Sequence, residues 1–254
     1  MEKRLDKNVT IITGGGKGIG FGIAKAFAKE GSDLVITGRT ESRLIAAKEQ
    51  LEEEYGVDVL PIVADGADEE AIRNVVDRTI ERFGKITTLV NNAQVSKSGL
   101  PLVDHTRADI DLALHSGLYA AFFYMRDCYP YLKESKGSVI NFASGAGLFG
   151  KLGQSSYAAA KEGIRGLSRV AAAEWGPDGI RVNVVCPLAM TESLQEWRTA
   201  YPDLFEKTIQ GIPLGRFADP MDDIGRVCVF LASEDAHYVT GETITLQGGS
   251  GLRP

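Results

Sequence analysis

Only three cysteines occur in the 254 residues, and Cys128, Cys186 and Cys228 stand far apart without a CxxC pair among them. An odd, scattered set excludes a disulfide framework and offers no metal site, so buried thiols are the expectation. No run of lysines or arginines is present, and the formal net charge is −6. General nucleic-acid binding, which needs cations gathered into a dominant basic face, is thereby excluded. Long apolar runs are missing as well. The N-terminal "MEKRLDKNVTIITGG" has only Val9 to Ile12, too short for a signal core, and no later stretch approaches a membrane span. A soluble cytoplasmic protein without membrane contact is expected. The serine-hydrolase elbow GxSxG is absent too: the sequence reads "FASGA", and no histidine or carboxylate stands in hydrolase spacing.

What the chain does have is alternation. Apolar runs of strand length ("NVTIIT", "DLVIT", "VDVLPIVA", "TTLVNN", "GSVINFA", "IRVNVVCP", "ETITLQ") are separated by helical patterns at 18–30, 41–55, 68–83, from about 106, 156–175 and 220–232. Strands apolar on both faces are the mark of a parallel sheet covered by helices, so the expectation is one doubly wound, Rossmann-like α/β domain over 1–254 with a mainly parallel seven-stranded sheet. Gly176-Pro177 reads as a helix stop. Asp219-Pro220 with Asp222 and Asp223 reads as N-cap, first-turn proline and dipole-matched carboxylates. The stretch 188–219 lies outside the alternation and is expected to be a substrate lid. Within it Trp197, Tyr201, Phe205 and Ile209 recur every fourth residue as an apolar stripe, with Pro202 as a break.

"TGGGKGIG" (Thr13 to Gly20) follows the first strand and opens the first helix, where the pyrophosphate of a dinucleotide would lie against helix N-terminal amides. Gly14, Gly18 and Gly20, with Ile19 between them, are the candidate contacts. At the end of the second strand, "VITGRT" has no carboxylate for a free ribose hydroxyl and offers Arg39 for a 2′-phosphate, with Lys17 as a second cation. NADP(H) rather than NAD(H) is the expected cofactor. Thr40 either donates a hydroxyl there or caps the next helix.

In "SSYAAAKEG", Tyr157 and Lys161 are four apart and share one helix face, so a hydroxyl and an ammonium share a neighbourhood. A phenol is a poor acid or base at neutral pH; the Lys161 ammonium, joined by the positive ring of an oxidised nicotinamide, is expected to favour the phenolate. Ser144 ends the strand "SVINFAS" at the ligand-binding edge, placed to polarise an oxygen shared with Tyr157.

Taken together, "TGGGKGIG", Ala64-Asp65, "NNA" at 91–93, Ser144 with Tyr157 and Lys161, "RVNVVCP" and "FLASEDAHYVTGETITLQGG" resemble the short-chain dehydrogenase/reductase family, in the branch whose chains have about this length. The resemblance runs essentially end to end. It implies hydride transfer between a nicotinamide and a carbonyl or carbinol carbon, with Tyr157 exchanging the proton, Ser144 orienting the substrate oxygen and Lys161 holding the nicotinamide ribose. It also implies Asp65 at the adenine, Asn91 and Ala93 beside the nicotinamide ribose, and Thr191 at the nicotinamide amide. A homotetramer is the implied assembly.

Two departures stand out. Gly117 occupies the place where the family carries a catalytic asparagine in a proton-relay water chain, and His115 nearby points elsewhere on a regular helix. The family's "NNAG" is "NNAQ" here, so Gln94 either fills the space vacated at Gly117, contacts substrate or turns to solvent. Leu148, Phe149 and Leu152, with Trp197, suggest the wall of a pocket for a moderately large apolar ketone or alcohol; a steroid, a terpenoid ketone, an aryl ketone and a β-ketoacyl thioester all remain open. The alternatives are a nucleotide-binding regulatory or low-turnover protein that has lost the relay, and a related epimerase or dehydratase.

Overall fold

The computed structural model describes residues 3–251. Seven strands form one sheet in the order β3-β2-β1-β4-β5-β6-β7: β1 (Val9–Thr13), β2 (Asp33–Gly38), β3 (Val59–Val63), β4 (Thr88–Asn91), β5 (Ser138–Phe142), β6 (Arg181–Pro187) and β7 (Thr243–Leu246). Every neighbouring pair is parallel, so each connection must cross a face of the sheet and cover it.

Among the described residues there are ten α-helices, most of them covering the sheet: α1 (Gly18–Lys29), α2 (Glu41–Tyr55), α3 (Glu69–Phe83), α4 (Arg107–Ala113), α5 (Ala120–Ser135), α6 (Gly145–Phe149), α7 (Ser155–Trp175), α8 (Glu192–Ala200), α9 (Pro202–Gln210) and α10 (Arg226–Ala232). Successive strand residues point to opposite faces. Ile12 and Ile36 therefore pack with Phe27 of α1, Leu44 of α2 and Leu231 of α10, while Ile11 and Val35 pack with Ile72 of α3 and Tyr124 of α5. This two-sided burial is why the strands read as unbroken apolar runs. All three cysteines are buried and none is in a disulfide. Among the described residues no helix is long and apolar enough to cross a membrane.

Strand order reverses between β1 and β4. Their carboxyl ends diverge there, opening the crevice in which doubly wound sheets hold ligands.

The chain between α4 and α5 is not α-helical: Leu114–Tyr119 forms a π turn. A second π turn, Pro220–Gly225, precedes α10, and its N-cap Asp219 accepts from the Met221 and Asp222 amides at 2.8 Å each. The stretch 188–219 is more regular than its sequence suggests. It is two helices, broken at Tyr201, with Pro202 as the first residue of the second, where a missing N–H does no harm.

Helix α1 crosses the second π turn at contact distance. A Cβ on Gly22 would lie 2.5 Å from the Pro220 carbonyl carbon, and one on Gly225 would lie 2.6 Å from Ala26 Cβ. The neighbour in the first case is backbone, which cannot swing aside. Gly22→Ala is therefore expected to destabilise the protein by about 1–3 kcal/mol through overpacking, lowering the urea midpoint with an unchanged slope; an unchanged midpoint would show that the crossing has slack.

Candidate active site

A cleft of about 430 Å³ opens at the carboxyl edge where β1 and β4 part. Its floor begins with the glycine loop. Gly14 and Gly18 have φ of +69° and +55°, a region that favours glycine. A Cβ on Gly20 would overlap the Gly14 carbonyl oxygen and come within 2.7 Å of Asn92 Nδ2. The loop is thus folded tightly on itself. Lys17, the N-cap of α1, makes no side-chain capping bond, so the first amides of that helix are left to a ligand, and Gly18 and Ile19 line the cleft.

Thr13 ties this loop to the end of β4. Its hydroxyl accepts from the Asn92 and Ala93 amides at 3.0 Å each, and Asn92 Nδ2 donates to Thr13 O at 2.9 Å. Asn91 Nδ2 donates to Asn141 Oδ1 at 2.8 Å, and Asn141 Nδ2 donates to Ser168 Oγ at 2.8 Å. Asn91 Oδ1 is sealed from solvent and has no partner. Thr13 and Asn92 were not legible as site residues: the signal was their place beside the glycine loop and the "NNA" run.

At the far end of the cleft Lys17, Arg39, Thr40 and Arg43 line the wall, with Asp65 across from them. Among the described residues none of the three cations makes an ion pair. Arg43, in the first turn of α2, is an addition to the sequence reading. Thr40 is the N-cap of α2 but makes no side-chain capping bond. Asp65 Oδ1 accepts from the Ala67 amide at 3.0 Å in its own turn. Thr191 caps α8, accepting from Leu194 N at 3.3 Å, and lines the cleft with Glu192 and Ser193.

Ser144, Tyr157 and Lys161 converge beyond the end of β5. Ser144 caps α6 through Ala146 N at 3.1 Å, and its side chain lies near enough to the Tyr157 hydroxyl to favour the phenolate. Lys161 Nζ donates to Phe142 O at 2.6 Å and lies 5.6 Å from the centre of the Tyr157 ring. Ile164, one turn further along α7, lines the cleft, so the trio adjoins it.

In the protein alone the electrostatics run against the phenolate. Burial pushes the Tyr157 phenol up; the Ser144 side chain opposes this and the nearby Cys186 adds to it. Lys161 does not lower the phenol in the protein alone, because its ammonium sits over the ring face and burial, which disfavours the phenolate, dominates. Burial also pulls Lys161 itself down from 10.5 to about 7.

The candidate substrate residues are dispersed. Leu148 packs inward on Ala143, Val184 and Cys186. Phe149 and Leu152 are exposed. Trp197 packs within 188–219, its ring 5.9 Å from Phe205 and 6.5 Å from Tyr201, and does not line the cleft; the stripe is that segment's own core, shared with Ile209 and Phe217. Gln247, unnoticed in the sequence, lies against Gly145 beside Ser144: a Cβ on that glycine would be 3.0 Å from Gln247 Cδ. Gln94 turns inward onto Gly117, and His115 is exposed, edge-on to Tyr119 at 4.9 Å.

Comparison with known proteins agrees with this geometry. Residues 14–250 match the family profile described as enoyl-(acyl carrier protein) reductase. The chain is 60% identical over 256 residues to a 12alpha-hydroxysteroid dehydrogenase of a Clostridium species, covering 98% of this chain and 99% of that one. It is 35% identical to the levodione reductase of Leifsonia aquatica, covering 97% and 95%. A crystal structure of levodione reductase superposes with a TM-score of 0.92 at 34% identity, covering 98% of this chain and 99% of that one. The chain belongs to the short-chain dehydrogenase/reductase family, as an oxidoreductase of alcohols and ketones that uses a nicotinamide cofactor.

Proposed function

We propose that the protein interconverts a hydroxysteroid and the corresponding oxosteroid with NADP(H). The observation that carries the reading is the convergence of Ser144, Tyr157 and Lys161 beside the cleft. The steroid class is supported by the 60% identical relative, which is named for a 12α-hydroxysteroid.

The cleft suits a dinucleotide phosphate. Gly20 leaves a space that a Cβ would fill, the amides opening α1 are uncapped, and Asn91 Oδ1 lacks a donor. Gly14, Gly18, Ile19 and Gly20 would hold the pyrophosphate, and Lys17, Arg39 and Arg43 a 2′-phosphate, since unpaired guanidinium and ammonium groups recognise it through charge-assisted hydrogen bonds. Asp65 would meet the adenine, Asn91, Ala93 and Lys161 the nicotinamide ribose, and Thr191 the nicotinamide amide. When bound, the nicotinamide supplies or accepts the hydride.

The chain's own residues handle the oxygen and its proton. Tyr157 gives its hydroxyl proton to the carbonyl oxygen in reduction, and in oxidation its phenolate takes the carbinol proton; the nearby Ser144 hydroxyl orients the same oxygen. The segment 188–219 acts as the lid, its Thr191 end resting over the glycine loop. A homotetramer is part of the reading. Tyr119, Phe122 and Val170 are exposed apolar side chains, and Leu118, Tyr119, Phe122, Phe123 and Leu167 line a shallow hollow that a second copy would cover.

The test is NADPH absorbance with a panel of oxosteroids and simpler apolar ketones. Oxosteroid turnover is expected, and Tyr157→Phe should reduce it by roughly 10²–10⁴-fold; NADPH binding with no turnover across the panel would point instead to a regulatory nucleotide-binding protein. Burial keeps the phenol protonated through neutral pH. Hence reduction should hold up to neutral pH and fall in alkali, while kcat/KM for alcohol oxidation should climb with pH; parallel profiles in both directions would contradict Tyr157 as the proton carrier. Arg39→Ala should weaken NADP⁺ binding about 10–100-fold, the range of a lost hydrogen bond to a charged group, and leave NAD⁺ binding unchanged. Equal losses for both would remove the 2′-phosphate assignment.

A further inference from the structure

Gln94 and Gly117 meet where the loop after β4 crosses the first π turn, and neither has a role in the chemistry described so far. While Gln94 stands, position 117 has no room for a side chain: an added Cβ would lie 2.6 Å from Gln94 Cδ, 2.8 Å from Oε1 and 3.0 Å from Nε2. The carboxamide is packed directly on the glycine. Its Nε2 donates to Ala113 O at 3.5 Å, the outer limit of a hydrogen bond, and its Oε1 is sealed from solvent without a partner. Exchanging the two ends of the amide would set Oε1 against Ala113 O, acceptor against acceptor, so the orphaned oxygen is a property of the packing.

The surrounding loop is firmly held by contrast. The Ser116 hydroxyl accepts from Val95 N at 3.0 Å and lies within donating distance of Val95 O (2.8 Å) and Leu112 O (2.6 Å). Gln94, Ser116, Gly117 and Asn91 all line the same wall of the cleft. Two acceptors on that wall, Asn91 Oδ1 and Gln94 Oε1, are therefore buried without donors. A buried acceptor left unpaired is unfavourable and calls for an explanation. Gln94 is only half-buried as a residue, and its one bond is at the outer limit of length, so little holds the terminal amide in its present place.

We propose that Gln94 is a binding residue for the nicotinamide half of the dinucleotide, its Oε1 accepting a hydrogen bond from an amide N–H or ribose hydroxyl of that half. The inference rests on the cleft being a dinucleotide site. The nicotinamide half is indicated because Gln94 follows Asn91 at the end of β4, on the side where Ile164 brings α7 to the cleft, while the cations Arg39 and Arg43 mark the other end. Gly117 serves the same purpose by leaving the amide its place.

Titration calorimetry without substrate tests this, with two probes: NADP⁺, and adenosine 2′,5′-bisphosphate, which lacks the nicotinamide half. Gln94→Leu keeps the volume and removes the acceptor. It should weaken NADP⁺ roughly fivefold to tenfold, the range of one hydrogen bond, and leave the bisphosphate unchanged. Gly117→Ala, by displacing the amide, should give the same selective loss, and should add none in a Gln94→Ala background. Unchanged NADP⁺ binding by Gln94→Leu, or equal losses for both probes, overturns the assignment and leaves Gln94 as filler. A wild-type protein that binds neither probe overturns the dinucleotide reading and this inference together, whereas normal wild-type binding with an unaffected variant overturns this one alone.

Discussion

A lysine ammonium taken out of water anchors the site. Lys161 is buried, and the hydrogen bond that holds it runs to the carbonyl of Phe142, the last residue of β5, at 2.6 Å. An unpaired charge in such a place is strongly disfavoured, which is why burial drags the group's proton affinity down to about 7. The single carbonyl has wide consequences because of where the lysine sits in sequence. Residues four apart share a helix face, so pinning Lys161 to the strand end also fixes the Tyr157 ring above that end. Ser144, two residues past Phe142, then comes within reach of the phenol by chain connectivity alone.

The same strand end reaches the cleft by a second route. Asn141 precedes Phe142, pairs with Asn91 across the sheet and accepts from its amide. Lys161 and the Asn91 wall of the cleft are therefore tied to neighbouring residues of one buried strand. Polar groups that a fold normally satisfies are left open on this edge: the amides opening α1 and α2, Asn91 Oδ1 and Gln94 Oε1. Side-chain caps are present at α3, α4, α6 and α8, from Asp68, Thr106, Ser144 and Thr191. What distinguishes the open groups is that they meet around one cleft, where a polar ligand has open donors and acceptors to pair with.

What could be read from the sequence follows the range of the forces involved. Strands and helices were legible because burial on both faces writes itself into every residue of a strand, and caps such as Asp219 are local in the chain. The glycine loop, Arg39 and the Tyr157–Lys161 pair were legible because each is a short pattern with one physical meaning. Arg43, Thr13, Asn92 and Gln247 were not, since their importance comes from what lies across a gap in space. The ionisation of Tyr157 in the protein alone could not be read for the same reason: spacing puts an ammonium near a ring but does not say which part of the ring, and here it lies over the face while burial acts on the hydroxyl.

The stripe Trp197, Phe205 and Ile209 shows how a periodic signal can be right about structure and misleading about contact. Its spacing does mark helices, yet the side chains pack on one another and on Leu188, Met190, Leu194 and Phe217. A segment with a core of its own can change position as a unit without exposing that core, which is what a lid over a ligand cleft requires. Phe149 and Leu152, which follow Ser144 in the chain, are apolar yet 49% and 94% exposed. The rings of 188–219 stabilise that segment itself, whereas the apolar side chains that follow Ser144 are left open.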